Sequence, residues 1–244
     1  MTKLLTSVRN LSEAQQVVVG GSDWLDLKEP RNGALGAVPA DTLREVIAWS
    51  NVNAPAMPVS ATIGDEWTTA ALIAQKVGSV AASGVDFVKI GVYADSLSKN
   101  MESALKQVLG YHQNLIVICF VDRPLNLNIV GEIIEYGAAG MMLDTAEKAS
   151  GSLTKQLSLP QIKAFVNLVR GANVLCGLAG KLDAHDIPIL GRLAPDYLGF
   201  RSAICKQAVR NADVCANRVG ELKRTLTNVS LRDDNEQDTE LMME

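Results

Sequence analysis

Histidine is nearly missing from this chain. His112 and His185 are the whole supply, so the usual zinc centres, built from His and Cys, have no credible ligand set. Its four cysteines, Cys119, Cys176, Cys205 and Cys215, lack CxxC spacing, and the first three sit in or beside apolar runs. That pattern is expected of reduced, buried thiols in a cytosolic protein rather than of a disulfide framework. No uncharged apolar run is long enough to span a bilayer, and residues 1–8 lack the apolar core of a signal peptide. A cytoplasmic location with no membrane partner is therefore expected. A dinucleotide turn is absent too: Val8-Arg9-Asn10-Leu11-Ser12 has no glycine, and Gly33 and Gly36 come later without GxGxxG spacing.

What is present is a body of apolar segments with no composition break until the end. Residues 232–244 carry six acids against one arginine, and setting them aside moves the net charge from −4 to about +1. The acidity belongs to a tail, so the expected organisation is one domain over 1–227 and an acidic, disordered tail over 228–244. The body has no single-sign field, which argues against a nucleic-acid partner. Its many apolar helix faces suit a homo-oligomer.

Short apolar runs alternate with longer helix-compatible ones, as in successive βα units. Strands are expected at 3–7, 24–27, 57–61, 87–90, 115–121, 140–143, 174–178 and 197–200, and helices at 40–50, 69–83, 97–110, 127–136, 161–170, 184–193 and 206–225. Eight strands with helical stretches between them in 244 residues match an α/β fold, a single (β/α)8 TIM barrel, whose typical length is about 250 residues. A doubly wound open sheet is the rival, and the missing glycine turn counts against it.

In a barrel, the site is built at the C-terminal ends of the strands. Those ends supply Asp26 and Lys28, Ser60 and Thr62, Lys89, Asp122 and Arg123, and Asp144 with Thr145. Strand alternation puts Asp26 and Lys28 on one face. One such lysine is ordinarily just the first solvated residue after a buried run, but two lysines and two aspartates at one mouth exceed what solvation needs. An amine among apolar walls, or beside another cation, holds its proton less tightly and becomes a nucleophile toward carbonyls. Asp144 could orient an amine, exchange protons or cap a helix, and Lys148 could reach the mouth or a phosphate. His185 reads as the start of a surface helix with Asp183 and Asp186, and Trp24 and Trp67 as packing residues.

Gly177-Leu178-Ala179-Gly180-Lys181 and Gly199-Phe200-Arg201-Ser202-Ala203 follow the last two strands, where this fold often binds phosphate through exposed backbone N–H groups. Either run alone would be explained by a tight turn; together they point to a phosphorylated substrate. The expected substrate and phosphate set is Ser60, Thr62, Gly180, Lys181, Gly199, Arg201 and Ser202.

Asp26-Leu27-Lys28-Glu29-Pro30 with Gly33-Ala34-Leu35-Gly36-Ala37, Val59-Ser60-Ala61-Thr62-Ile63-Gly64-Asp65, Val88-Lys89-Ile90-Gly91-Val92-Tyr93, Leu143-Asp144-Thr145 with Lys148, and Leu178-Ala179-Gly180 resemble the corresponding segments of (5-formylfuran-3-yl)methyl phosphate synthase. That family starts the furan of methanofuran in methanogens, or of its analogue methylofuran in methylotrophic bacteria. The resemblance runs in order to about Thr225. It implies a class I aldolase-like lyase condensing two glyceraldehyde 3-phosphates into 4-(hydroxymethyl)-2-furancarboxaldehyde phosphate with loss of phosphate and water, without metal or organic cofactor. Carried over by position, Lys28 is the Schiff-base lysine, Lys89 a proton-transfer partner, and Asp26, Asp144 and Lys148 supporting catalytic groups. Val121-Asp122-Arg123-Pro124 and the acidic tail depart from the family pattern, and no role passes to Asp122 or Arg123. A simple class I aldolase, a triose-phosphate isomerase-like enzyme and a non-catalytic phosphometabolite-binding barrel are the alternatives.

Overall fold

Eight parallel strands close on one another in chain order, the last pairing with the first. The computed structural model describes residues 1–65, 69–147 and 151–241. Trp67 and Lys148, both singled out from the sequence, lie outside the described residues. The strands and helices alternate as β1 (Lys3–Val8), α1 (Leu11–Val19), β2 (Trp24–Leu27), α2 (Ala40–Asn53), β3 (Val59–Thr62), α3 (Ala70–Ala81), β4 (Phe87–Tyr93) and α4 (Lys99–Tyr111). They continue as β5 (Leu115–Phe120), α5 (Leu127–Glu135), β6 (Gly140–Asp144), α6 (Leu153–Gln156), α7 (Leu159–Gly171), β7 (Leu175–Leu178), α8 (Ile187–Gly191), β8 (Tyr197–Phe200) and α9 (Ala216–Leu241). The expected barrel is the observed one. No helix among the described residues is long and apolar enough to cross a membrane.

The period of two explains where the side chains go. In β5, Leu115, Val117 and Cys119 join the outer core under the helices, whereas Ile116, Ile118 and Phe120 pack inside the barrel with Leu5, Trp24, Met142, Ala179 and Tyr197. Both faces are covered, so every residue of β5 is buried. Trp24, Met142 and the partly buried Phe87 point inward. The residues two places on, Asp26, Asp144 and Lys89, therefore share the lumen side. Each residue buried in the outer core contributes on the order of 1.5–3 kcal/mol, which is the reserve that lets charged groups sit inside.

Helix starts follow local chemistry. Asn10, Thr69 and Ser98 accept hydrogen bonds from the backbone N–H groups of Glu13, Leu72 and Met101, and Ser158 forms a capping box with Gln161.

Three segments differ from the sequence reading. Residues 206–215 are not helix: a short 3₁₀ turn at Lys206–Ala208 and an antiparallel bridge between Cys205 and Val214 fold them into a loop, and α9 starts at Ala216. The helix expected over 184–193 shrinks to Ile187–Gly191 behind an Asp183/Asp186 turn, and His185 is exposed in that turn. Helical backbone also continues through 228–241, the segment expected as a disordered tail. Without Pro or Gly there, a helix already nucleated at Ala216 propagates at little cost.

Candidate active site

The site is stacked in two polar layers above an aromatic floor. The floor is Trp24, with Phe87 and Tyr197 each 5.0 Å from it between ring centroids. This large floor fits because Gly177 has no Cβ: one there would lie 2.3 Å from the Tyr197 ring. Trp24 is thus a packing residue, as expected, and its Nε1 also donates to Ser60 Oγ at 3.2 Å.

The lower layer is an ion pair. Lys89 Nζ donates to Asp26 Oδ1 at 2.9 Å; Ser60 Oγ donates to the same oxygen at 2.8 Å and Ser7 Oγ to Asp26 Oδ2 at 3.0 Å. Lys89 is 0% exposed and Asp26 2%. Burial pushes the Asp26 carboxyl up, but Lys89, Lys28 and its hydrogen bonds more than offset this, so it lies below the ordinary value. Burial draws Lys89 down, with Asp26 opposing and the Lys28 charge reinforcing. The ammonium also lies over the rings of Tyr197 and Trp24, at 5.6 and 6.0 Å.

The upper layer opens outward. Lys28, one residue past β2, is held by its N–H to Val8 O, and its Nζ stands 3.6 Å from Asp144 Oδ2. Asp144 Oδ1 accepts from Thr145 N at 2.7 Å. Both side chains line a cavity of about 230 Å³ whose wall also includes Gly180, Lys181, Gly199, Ser202 and Arg210. Lys28 thus fronts this cavity, whereas Lys89 is buried beneath it.

The expected phosphate residues divide. Gly180 (φ 107°) and Lys181 (φ 52°) in the loop after β7, Gly199 within β8 and Ser202 in the loop after it line the cavity. Ser60 and Thr62 do not: Ser60 serves Asp26, and Thr62 Oγ1 donates to Gly36 O at 3.2 Å. Their strand is short, so both side chains stay below the rim. Arg201 is at the wall, but its donors are committed elsewhere. Nε donates to Arg210 O, Nη1 to Ser7 O and Glu13 Oε2, and Nη2 to Glu13 Oε1 and Ala212 O. Arg201 is a clamp for the loop after β8, because a buried guanidinium is held by whatever acceptors surround it and here they are all protein.

Arg210 was missed. It sits mid-loop, inside a segment read as helix, and nothing in its neighbours marks it. Its Nη2 donates to Gly33 O at 2.8 Å, crossing from the loop after β8 to the loop after β2. Gly33 itself adopts φ 110°, and a Cβ there would fall 2.0 Å from Asp65 Oδ2; the Asp65 carboxylate accepts from Leu35 N at 3.0 Å. Asp122 has a part the sequence left open: its carboxylate accepts from Ala146 N and Glu147 N at 2.5 and 3.1 Å, fixing the loop after β6. Arg123 stacks over Tyr93 at 4.2 Å in a second cavity, of about 660 Å³, which meets the first at Ala34, Ala146 and Glu147. Among the described residues no three His, Cys, Asp or Glu side chains are grouped to hold a metal ion.

The family model described as 4-HFC-P synthase matches residues 4–223. The chain belongs to the 4-HFC-P synthase family. The matched span contains both polar layers and Arg210. A (5-formylfuran-3-yl)methyl phosphate synthase of Methanococcus aeolicus is 31% identical over 221 residues, covering 85% of this chain and 92% of that one. A Methylorubrum extorquens protein given the same name provisionally is 37% identical over 220 residues, 90% of this chain and 89% of that one. In fold alone, this 4-HFC-P synthase family member is similar to phosphoribosyl anthranilate isomerase from Thermus thermophilus, with a TM-score of 0.65, 12% identity, and coverage of 93% of this chain and 100% of that one.

Proposed function

We propose that this chain condenses two molecules of glyceraldehyde 3-phosphate into 4-(hydroxymethyl)-2-furancarboxaldehyde phosphate through a Schiff base on Lys28, with loss of phosphate and water, for a methanofuran-type one-carbon carrier. The observation that carries this reading is the position of Lys28: its amine fronts the cavity, 3.6 Å from Asp144, while Lys89 lies enclosed and paired beneath. A lysine nucleophile has to meet the carbonyl, and Lys28 is the one of the two that does.

The neutral Lys28 amine adds to the carbonyl of one triose, water leaves, and the iminium draws electrons from the adjacent carbon. Asp144 takes the proton from that carbon on the cavity side, giving an enamine. Lys89, drawn down by burial, serves proton transfer to substrate atoms that reach below the Lys28–Asp144 layer. The enamine carbon attacks the second aldehyde; ring closure, breaking of the Lys28 C–N bond to return the free amine, loss of water and elimination of one phosphate as inorganic phosphate follow, and aromaticity makes the end of the sequence downhill. The lysine iminium is the electron sink, so the scheme needs no metal or organic cofactor.

The test is incubation with glyceraldehyde 3-phosphate, read by near-ultraviolet absorbance and by peptide mass spectrometry after borohydride. A furan chromophore with a reduced adduct on Lys28 is expected. An adduct without the chromophore would leave a simple class I aldolase, and neither signal would sink the synthase reading.

A further inference from the structure

Among the described residues four cations meet the first cavity, and three are accounted for. Lys28 faces Asp144 and the carbonyl chemistry. Arg201 is saturated by Glu13 and three backbone carbonyls. Lys181 is exposed at the rim. The fourth, Arg210, is anchored on one edge only, Nη2 to the carbonyls of Gly33 at 2.8 Å and Ala34 at 3.5 Å. Among the described residues its Nε is shut off from solvent without an acceptor, and no protein acceptor meets Nη1. A desolvated guanidinium with a sealed, unpaired N–H is under-compensated, so the remaining compensation has to come from the cavity.

Resting on the reading that this cavity takes a triose phosphate, we propose that Arg210 binds the phosphate of the triose whose carbonyl meets Lys28. The phosphate lies between the Arg210 fork and the backbone of the Gly180–Lys181 and Gly199–Ser202 turns. A planar guanidinium matches tetrahedral phosphate oxygens with two parallel N–H donors, which an ammonium cannot do. Burial draws the Arg210 guanidinium below its ordinary value; Asp144 and Asp65 favour its cation, and Arg201 opposes it. The surroundings also make the anchor rigid. The loop that carries Arg210 is held by Arg201 through the carbonyls of Arg210 and Ala212, and by Arg9 through Asn211 O at 3.0 Å and Asp213 Oδ1 at 3.0 Å. Arg210 then ties this loop to the one that leads out of Lys28. Phosphate position and amine position are set by one connected piece of backbone.

Two measurements test this. In the wild-type protein, phenylglyoxal modification is mapped by mass spectrometry with and without inorganic phosphate; phosphate should slow the adduct at Arg210 at least tenfold and leave exposed Arg44 unaffected. Equal rates at Arg210 in both conditions would overturn the proposal. In Arg210→Met and Arg210→Lys, borohydride trapping of Lys28 is compared for glyceraldehyde 3-phosphate and unphosphorylated glyceraldehyde. The concentration advantage of the phosphorylated aldehyde should fall at least tenfold in Arg210→Met and partly return in Arg210→Lys. An undiminished advantage, or an equal loss for both aldehydes, would make Arg210 a structural tie only. The phenylglyoxal arm stands even if no furan forms, so failure of the synthase reading and failure of this one are separable.

Discussion

Asp26 and Lys89 are 63 residues apart in the chain and meet at 2.9 Å in the middle of the barrel, where neither has contact with water. Their attraction offsets two desolvation costs at once, and neither is tolerable alone. Lys89→Met leaves a buried carboxylate unmatched and should lower stability by about 3–5 kcal/mol in urea unfolding. The double variant Lys89→Met/Asp26→Asn should recover most of that loss. Additive losses would show that the two side chains do not act as a pair.

Acid should expose the same pair. The Asp26 carboxyl holds its proton less tightly in the folded protein than in the unfolded chain, whose value is near 3.8. Its stabilising share is therefore complete above that value and disappears as pH falls through the lower, folded one. Urea unfolding across that acidic window should give a steeper loss for the wild type than for Asp26→Asn. Parallel acid limbs would place the titrating group elsewhere.

Lys28→Arg keeps a cation opposite Asp144 but cannot form an imine. Its melting temperature should stay near that of the wild type, while turnover falls roughly 10⁶-fold, the scale seen when a covalent nucleophile is removed, and borohydride leaves no adduct. An adduct on Lys89 in the wild type would keep the condensation and exchange the roles of the two lysines.

Among the described residues the buried Tyr197 hydroxyl has no hydrogen-bond partner, and burial pushes its ionisation well up, with Asp26 adding to the effect. Tyr197→Phe keeps the floor and deletes the unsatisfied group, so stability should be unchanged or higher by up to about 1 kcal/mol. Thermal unfolding decides; a loss beyond that range would mean the hydroxyl has a partner in solution.

Strand positions were legible because each inward residue repeats every second place between turn-forming segments; Asp26 and Asp144 follow from that rule and from strand ends, whereas Lys89 follows from the alternation alone, because β4, expected to stop at 90, runs on to Tyr93 and leaves it third in the strand. The role of Arg201 was not legible. A strand-end arginine beside glycines has the same sequence signature whether it faces phosphate or Glu13, and only the placement of Glu13, on α1, beside the loop after β8 makes the choice. Arg210 was hidden for a related reason: its loop is non-helical because Arg201 and Arg9 hold its carbonyls, and those partners are about two hundred residues away in the case of Arg9. Ser60 and Thr62 show the converse limit. They sit at strand ends as expected, yet side-chain length keeps them with Asp26 and Gly36 instead of the mouth.

The Arg201 to Glu13 clamp spans 188 residues, and Arg210 lies beyond it. During synthesis the first strand and helix leave the ribosome long before their last partners exist, and the nascent barrel has an open seam until β8 and its loop emerge. A chain cut short ahead of residue 197 forfeits the eighth strand, the clamp and the Arg210 anchor together. Premature termination thus produces no half-working enzyme with Lys28 exposed to stray aldehydes in a partly formed pocket; it leaves a chain that cannot close, which is the kind of substrate cellular proteases remove.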